Sequence, residues 1–337
     1  MSSPLEEPQV TANPFFSIII LCWKSNQYLP SCLDALISQT EKDFEILVLD
    51  NGSPETIPQT IFSGYKTLNI QWLKVEENLG FAAGNNFVAS LARGTYLVLL
   101  NADAFPESDW LQQVRRGIEK YPRSCYASRL IMAEHPDRYD GKGDVYHASG
   151  LAWRDSYNAS VDSAPDVDHE AFSACAAAAI YPRDAFLQVG GFDTDFFAYI
   201  EDVDLGFRLR LAGYRCIYLS AATVRHVGSA STGLRSEFAI YYGQRNTVWA
   251  FFKDMPGIWV WLLAPAHILV NLLQILMAYV RKRGRVSLKA KIDALKGLPA
   301  VLKRRKSVQR SRVASIGSVL RAMDWNPFSP LIKWIQR

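Results

Sequence analysis

Four places in this sequence put an ionisable side chain where a folded chain could use it for chemistry. Asp50 closes the apolar run 44–50 (FEILVLD) and leads into the turn Asn51-Gly52-Ser53-Pro54. Its carboxylate can accept hydrogen bonds from a ribose or a base, or serve the backbone in an Asx turn or cap. Asp103 ends the triplet Asn101-Ala102-Asp103 just past the run Leu97-Val98-Leu99-Leu100. There an exposed carboxylate can hold Mg²⁺ or Mn²⁺ between itself and two phosphate groups, although such triplets also form ordinary turns. Glu201 and Asp202 open a helical pattern behind the aromatic loop Phe196-Phe197-Ala198-Tyr199. A carboxylate so placed can take the proton from an attacking hydroxyl, and the helix dipole alone would also favour acids there. His226 precedes Gly228-Ser229 after a strand pattern and can ligate a metal, touch a diphosphate or simply complete the core.

These positions need a frame. Residues 15–23, 44–50 and 95–100 are short, apolar and rich in β-branched side chains, as buried strands are. Helical patterns at 29–39 and 83–92 separate them, and this alternation predicts an α/β fold with a doubly wound, mostly parallel sheet. Ligands of such sheets sit at the carboxyl ends of the strands, where Trp23, Lys24, Asp50 and Asn101–Asp103 fall. A helix over about 200–212 ended by Gly213, and a strand over 215–219, complete the readable pattern. The stretch 125–185 has a polar loop at 134–170 and an apolar run at 172–181, without a period that assigns its elements.

Other chemistries lose their signatures. The chain has no G-x-x-x-x-G-K-[ST] loop, no G-x-G-x-x-G after the first strand, no H-E-x-x-H and no G-x-S-x-G. Five cysteines (Cys22, Cys32, Cys125, Cys175, Cys216) include no C-x-x-C pair, which fits a reducing cytosol and no disulfide framework. Residues 1–14 have no basic residue and read as a flexible leader, not a secretory signal.

The net charge of +4 hides two opposite bodies. Residues 281–337 hold 16 Lys and Arg against Asp293 and Asp324, leaving 21 basic and 31 acidic side chains in the first 280 residues. Residues 256–280 contain no charged side chain, although Pro265 interrupts them and His267, Asn271 and Gln274 dilute them. The basic run at 281–285 follows at once. A helix lying in the membrane interface, or a re-entrant hairpin over about 256–316, is favoured over a single span, which would place the basic tail against the positive-inside tendency. An anionic membrane surface is therefore the expected partner of the tail, in preference to nucleic acid.

Taken together, the blocks SIIILCWKSN, FEILVLDNGS, ENLGFAAGNN, ARGTYLVLLNAD, VGGFDTDFFAYIEDVDLGFRLRLAGYR and the later His226 and Gln244-Arg245-Asn246 resemble the glycosyltransferase family 2 enzymes, in their bacterial rhamnosyltransferase-like branch. The resemblance runs from about residue 16 to 252. It implies a GT-A fold over 15–252, followed by a membrane-association region over 253–337. It also implies an inverting, metal-dependent transfer from a nucleotide sugar with Mg²⁺ or Mn²⁺.

By the same resemblance Asp202 is the catalytic base, and Asp103 and His226 hold the metal. Trp23, Asp50, Asn78, Gly80, Asn85, Asn86, Asn101 and Arg245 lie on the nucleotide and donor side, and Phe197, Tyr199 and Glu201 on the acceptor side. The favoured donor is dTDP-rhamnose, with UDP- and GDP-sugars as alternatives. The expected acceptor is a glycan on polyprenyl diphosphate at the cytoplasmic face of the membrane. A polyprenyl-phosphate sugar synthase and a non-catalytic scaffold of a polysaccharide assembly complex are the competing readings. Two blocks depart from the usual pattern. Cys22-Trp23-Lys24 stands where Thr-Tyr-Asn is common, and Ala102 replaces a proline, which removes a rigid turn but keeps the carboxylate.

Overall fold

A computed structural model describes residues 13–55, 57–228 and 236–335, so most of the expected leader and Ser229 lie outside the described residues. The chain runs β1 (Phe16–Cys22), α1 (Leu29–Ile37), β2 (Phe44–Asn51), β3 (Ile70–Val75), α2 (Gly80–Leu91), β4 (Tyr96–Leu100), β5 (Ala104–Pro106) and α3 (Trp110–Lys120). It continues through β6 (Ser124–Met132), β7 (Tyr139–Gly141), β8 (Asp144–Tyr146), β9 (Ala152–Arg154), β10 (His169–Ala171), β11 (Ala178–Pro182), α4 (Arg183–Gln188), α5 (Glu201–Leu211) and β12 (Arg215–His226). Five C-terminal helices follow: α6 (Glu237–Asp254), α7 (Trp259–Val280), α8 (Gly284–Arg310), α9 (Ile316–Arg321) and α10 (Ser329–Ile335).

The central sheet has the order β10-β12-β6-β11-β4-β1-β2-β3. Four parallel strands lie on one side, β6 and β12 pair in parallel on the other, and β11 joins the two groups antiparallel to both neighbours. Strand alternation assigns each side chain to a face. Ile18 and Ile20 of β1 pack with Leu33 and Leu36 of α1 and Trp110 of α3, whereas Ile19 packs with Val88 of α2 and Leu205 of α5 on the other face. Both faces are covered, which is why β1, β2 and β4 read as nearly continuous apolar runs.

The register places Cys22 opposite Asp50, so the first two strands end together at one rim. The expected strand at 215–219 is in fact longer. β12 shifts register between Leu219 and Thr223 and continues to His226, carrying that histidine to the same rim. The irregular middle resolves into β6, four three-residue strands and β11.

α6 runs unbroken across residue 252 and packs along α8, which doubles back on α7 after the turn at 281–283 and runs in the same direction as α6, from Ser287 at Gln244 to Gln309 at Lys253. α7 is inside-out. Its buried residues are Val260, His267, Asn271 and Ala278, one stripe at helical spacing. His267 Nδ1 meets the Ser149 carbonyl at 2.8 Å, and Lys291 of α8 bonds to Asn271 and, at 2.9 Å, to Gln274. The polar residues that dilute the apolar run thus face the protein, and Trp261, Leu262, Ile268, Leu269, Leu272 and Leu276 face outward.

Candidate active site

β5 pairs antiparallel with β12 so that Ala104 lies opposite His226, which brings the Asn101–Asp103 turn against the histidine across more than a hundred residues of sequence. The turn holds without a proline, because Ala104 N–H donates to the Asn101 carbonyl (3.0 Å) and Val227 N–H donates to the Asp103 carbonyl (3.0 Å). His226 Nε2 lies 3.4 Å from Asp103 Oδ1 and 3.4 Å from Asn101 Nδ2, and Nδ1 lies 2.8 Å from Asp140 Oδ2. Arg154 pairs with the same Asp140. Burial opposes a charge on His226, but the hydrogen bonds and charges of Asp103 and Asp140 hold its pKa above the ordinary histidine value. Burial likewise opposes ionisation of Asp140, yet Arg154 and His226 push its pKa down to about 2.

One carboxylate and one imidazole nitrogen face each other at the rim, a donor set that fits a divalent cation and, through the imidazole, Mn²⁺ in particular. Among the described residues no three His, Cys, Asp or Glu converge to hold an ion by themselves. An ion there would draw its remaining ligands from a diphosphate and water. Asp140 is the outer partner that fixes the ring of His226.

A second acidic group lies across the Cys175–Ala178 segment. Asn101 N–H donates to the Ala177 carbonyl (3.0 Å), and Ala176 N–H donates to Asp202 Oδ2 (3.3 Å). Asp202 Oδ1 accepts from Val203 N–H at 2.8 Å. Burial raises the Asp202 pKa against these donors and Arg154. Glu201 is more deeply placed, with Oε2 lacking a hydrogen-bond partner, and burial together with Asp202 pushes its pKa well up. Asp144 accepts from Ser173 Oγ at 2.8 Å, and burial and Asp202 push it up to about 8. Asp202 is only partly covered, so it is the accessible member of the three.

The residues expected on the nucleotide and donor side fall into two sets. Asp50 is buried, and its carboxylate accepts from Ser53 N–H (3.1 Å) and Ile57 N–H (3.1 Å), shaping the loop after β2. Trp23 is partly exposed, with Lys24 Nζ 4.5 Å above its ring. Asn78 Oδ1 accepts from Gly80 N–H (2.8 Å) and Asn51 Nδ2 (3.1 Å), which fixes the start of α2. Gly80 has φ +80°, and a Cβ there would lie 2.5 Å from the Phe197 ring, so only glycine fits. The other set holds backbone. Asn85 donates to Phe81 (2.8 Å), and both polar atoms of Asn86 pair with the backbone of Phe192 at 2.8 Å. Arg245 donates to the carbonyls of Asp195 (2.7 Å) and Phe196 (3.1 Å) while stacking on Trp249.

The glycosyl transferase family 2 model matches residues 17–190, more than half of the chain. The chain belongs to glycosyl transferase family 2. A similar relative is the N-acetylglucosaminyl-diphospho-decaprenol L-rhamnosyltransferase of Mycobacterium tuberculosis (strain ATCC 25618 / H37Rv), 25% identical over 264 residues that cover 72% of this chain and 85% of that protein. A mannosyltransferase from Pyrobaculum calidifontis, solved with GDP-Man and Mn²⁺, superposes with a TM-score of 0.55 at 15% identity, covering 95% of this chain and 89% of the other. The 1–349 fragment of S. aureus TarS, solved with UDP, gives a TM-score of 0.53 at 17% identity over 95% and 86% of the two chains. These neighbours share the GT-A fold.

The family match spans Asp50, Asp103, Asp140, Asp144 and Arg154 and stops short of Asp202 and His226. Asp140, Asp144 and Arg154 escape a reading of this glycosyltransferase sequence, because they sit in the polar stretch 134–170, where no period marks a strand. The spacing Asp-Gly-Lys-Gly-Asp at 140–144 is their one local signal. An aromatic wall also emerges beside α5. Phe197 stacks on Tyr242 (centroids 5.3 Å apart), Tyr199 meets Phe238 (6.1 Å), and Tyr241 meets Tyr242 (5.1 Å). Phe238, Tyr241 and Tyr242 share one face of α6 at i, i+3 and i+4 and join the expected Phe197 and Tyr199.

Proposed function

We propose that this glycosyltransferase moves a sugar, with rhamnose from dTDP-rhamnose the favoured donor, onto a hydroxyl of a polyprenyl-diphosphate-linked glycan, inverting the anomeric centre. The observation that carries the reading is that one short segment, 175–178, is bonded both to the Asp103 turn, through Asn101, and to Asp202. A site for a diphosphate and a site for a proton acceptor thus share one rigid spacer.

Asp202 takes the proton from the acceptor hydroxyl. The hydroxyl oxygen bonds to the anomeric carbon from the face opposite the diphosphate, the bond from that carbon to the phosphate oxygen breaks, and its electron pair leaves with the nucleoside diphosphate. Asp103 and His226 would hold Mn²⁺ or Mg²⁺, which supplies neutralisation of the charge on the departing diphosphate. Asp140 keeps the His226 ring oriented toward Asp103. Asp50, Trp23, Asn78, Gly80 and Asn101 frame the nucleotide side, and Phe197, Tyr199, Glu201 and the α6 aromatics frame the acceptor side.

The acceptor's lipid suits the outward face of α7, a helix of 22 residues and about 33 Å. Trp325 meets Trp259 (5.8 Å), and Phe328, Leu331 and Ile332 of the following segment are exposed as well. With the adjoining Arg281, Lys282, Arg283 and Arg285 exposed, this surface favours attachment to the cytoplasmic leaflet, lying in the interface. The name of the mycobacterial relative, which acts on a diphospho-decaprenol, supports that acceptor class.

The test offers the full-length protein dTDP-rhamnose, UDP-GlcNAc or GDP-mannose with Mn²⁺ or Mg²⁺ and a GlcNAc-diphosphoprenol acceptor. Products are read by mass, and the new anomeric centre by NMR coupling. Rhamnose transfer with inversion is expected. Turnover of another donor replaces the donor assignment, retention overturns the single displacement, and transfer with none removes the reading.

A further inference from the structure

The helix that carries Glu201 and Asp202 is launched from an unusual loop. Phe197 (φ +64°), Tyr199 (φ +67°) and Ile200 (φ +69°) all occupy the left-handed region without being glycine, and for a β-branched isoleucine that conformation is a clear outlier. Three such residues in four persist only where surrounding contacts over-determine them. Three of those contacts come from one buried side chain of α6. Asn246 Nδ2 donates to the carbonyls of Phe196 (2.9 Å), Ala198 (2.9 Å) and Tyr199 (2.7 Å), so its two N–H groups serve three acceptors. Its Oδ1 accepts from Arg245 Nε (2.9 Å), which orients the amide so that its nitrogen faces the loop. Asn246 is fully buried.

The same loop also ties the donor side. The Phe197 carbonyl accepts from Phe81 N–H (2.7 Å) and Ala82 N–H (3.2 Å), two of the otherwise unpaired amides in the first turn of α2. Its ring packs on Gly80. One amide therefore holds the segment on which both the start of α2 and the position of Asp202 depend.

We propose that Asn246 is a positioning residue for the transfer step, holding the strained 196–200 loop so that Asp202 is set against the donor-side helix. This rests on the reading of Asp202 as the base. Only a neutral amide of this length satisfies the loop. A carboxylate would face three carbonyl oxygens with no proton to give, and alanine would leave them unpaired.

The test compares the wild-type full chain with Asn246→Asp and Asn246→Ala. Calorimetric binding of UDP, GDP and dTDP with Mn²⁺ reports the donor side. Turnover of whichever nucleotide sugar the wild type uses reports kcat and KM. Hydrogen exchange of the 79–83 and 196–203 peptides reports the loop directly and needs no activity. Faster exchange in those two peptides, with kcat reduced about 100-fold and nucleotide affinity and KM changed far less, is the expected result, since an error of about 1 Å in placing a reacting group costs about that much. Exchange or kcat like the wild type overturns the proposal. So does a parallel fall of melting temperature, nucleotide affinity and kcat in both variants, which would mark Asn246 as general packing. If the wild type binds no nucleotide and turns over no donor, the proposed function falls, and the exchange measurement still decides whether Asn246 holds the loop.

Discussion

Asp140 and Asp144 lie four residues apart and share a neighbour in Arg154, yet their carboxyls are driven in opposite directions. Asp140, paired with Arg154 and His226, is held down at about 2, whereas Asp144, facing the burial and negative charge around Asp202, is pushed up to about 8. Burial is nearly the same for both. The partners differ, and the difference divides the site into a half that keeps its charge and a half that keeps its protons. The charged half suits an ion and a diphosphate. The protonatable half suits a group that must accept a proton from a sugar hydroxyl.

The largest break in that comparison is Asp202→Asn. Removing the proposed acceptor of the proton should lower kcat by about 1,000-fold, within the usual range for general base catalysis, while nucleotide binding with Mn²⁺ is kept. Transfer near the wild-type rate would move the base elsewhere, with Glu201 next in place. Asp103→Ala strikes the other half. Metal-dependent nucleotide affinity should fall by more than the about 10- to 100-fold that losing an outer partner of a metal costs, read by calorimetry with and without Mn²⁺. An affinity that ignores both the metal and the substitution would take Asp103 out of the ion site.

The two halves were not equally legible in the sequence. Asp50, Asp103 and Glu201-Asp202 stand at the ends of strands or the start of a helix whose periodicity is local, so their addresses could be read from a few residues around them. His226 could be read as a strand-end histidine, but what it meets is set by β5 pairing with β12, a contact between residues distant in sequence. Asp140, Asp144 and Arg154 were illegible because the strands that carry them are three residues long, too short to show a period, even though they pair with near neighbours in sequence, β7 with β6 and β8 with β9. The tail shows the same limit. An apolar run diluted by His267, Asn271 and Gln274 looks like a weakened membrane helix. The structure shows a separation of faces, since those three line the side that meets Ser149 and Lys291.

Arg154 is the hinge of the comparison, and Arg154→Met sharpens it. Removing one partner of a buried pair costs about 3 kcal/mol, the low end because the guanidinium keeps 30% exposure. Denaturant unfolding at pH 7 reads that loss, and a change under about 1 kcal/mol would make the ion pair incidental. The kinetic sign is separate. Arg154 favours the ionised form of Asp202, so without it Asp202 binds its proton more tightly and the acidic limb of kcat moves to higher pH.

Asp144→Asn should give the smallest effect and of the opposite sign. In the folded protein Asp144 keeps its proton up to about 8, above the ordinary aspartate value. Raising the pH from the unfolded value toward 8 therefore favours the unfolded chain, where the carboxyl ionises freely. An asparagine can still accept the Ser173 hydroxyl and carries no charge to exclude, so the variant should lose less stability than the wild type between pH 5 and pH 8, by about 1 kcal/mol or more. Its effect on catalysis follows from the same charge. Asp144 is already neutral below about 8, so an asparagine there should leave the acidic limb of kcat where the wild type has it, while Arg154→Met moves the limb to higher pH. A limb that moves to lower pH in Asp144→Asn would mean that Asp144 is ionised beside Asp202 in the wild type, and the division into a charged half and a protonatable half would fail at this residue.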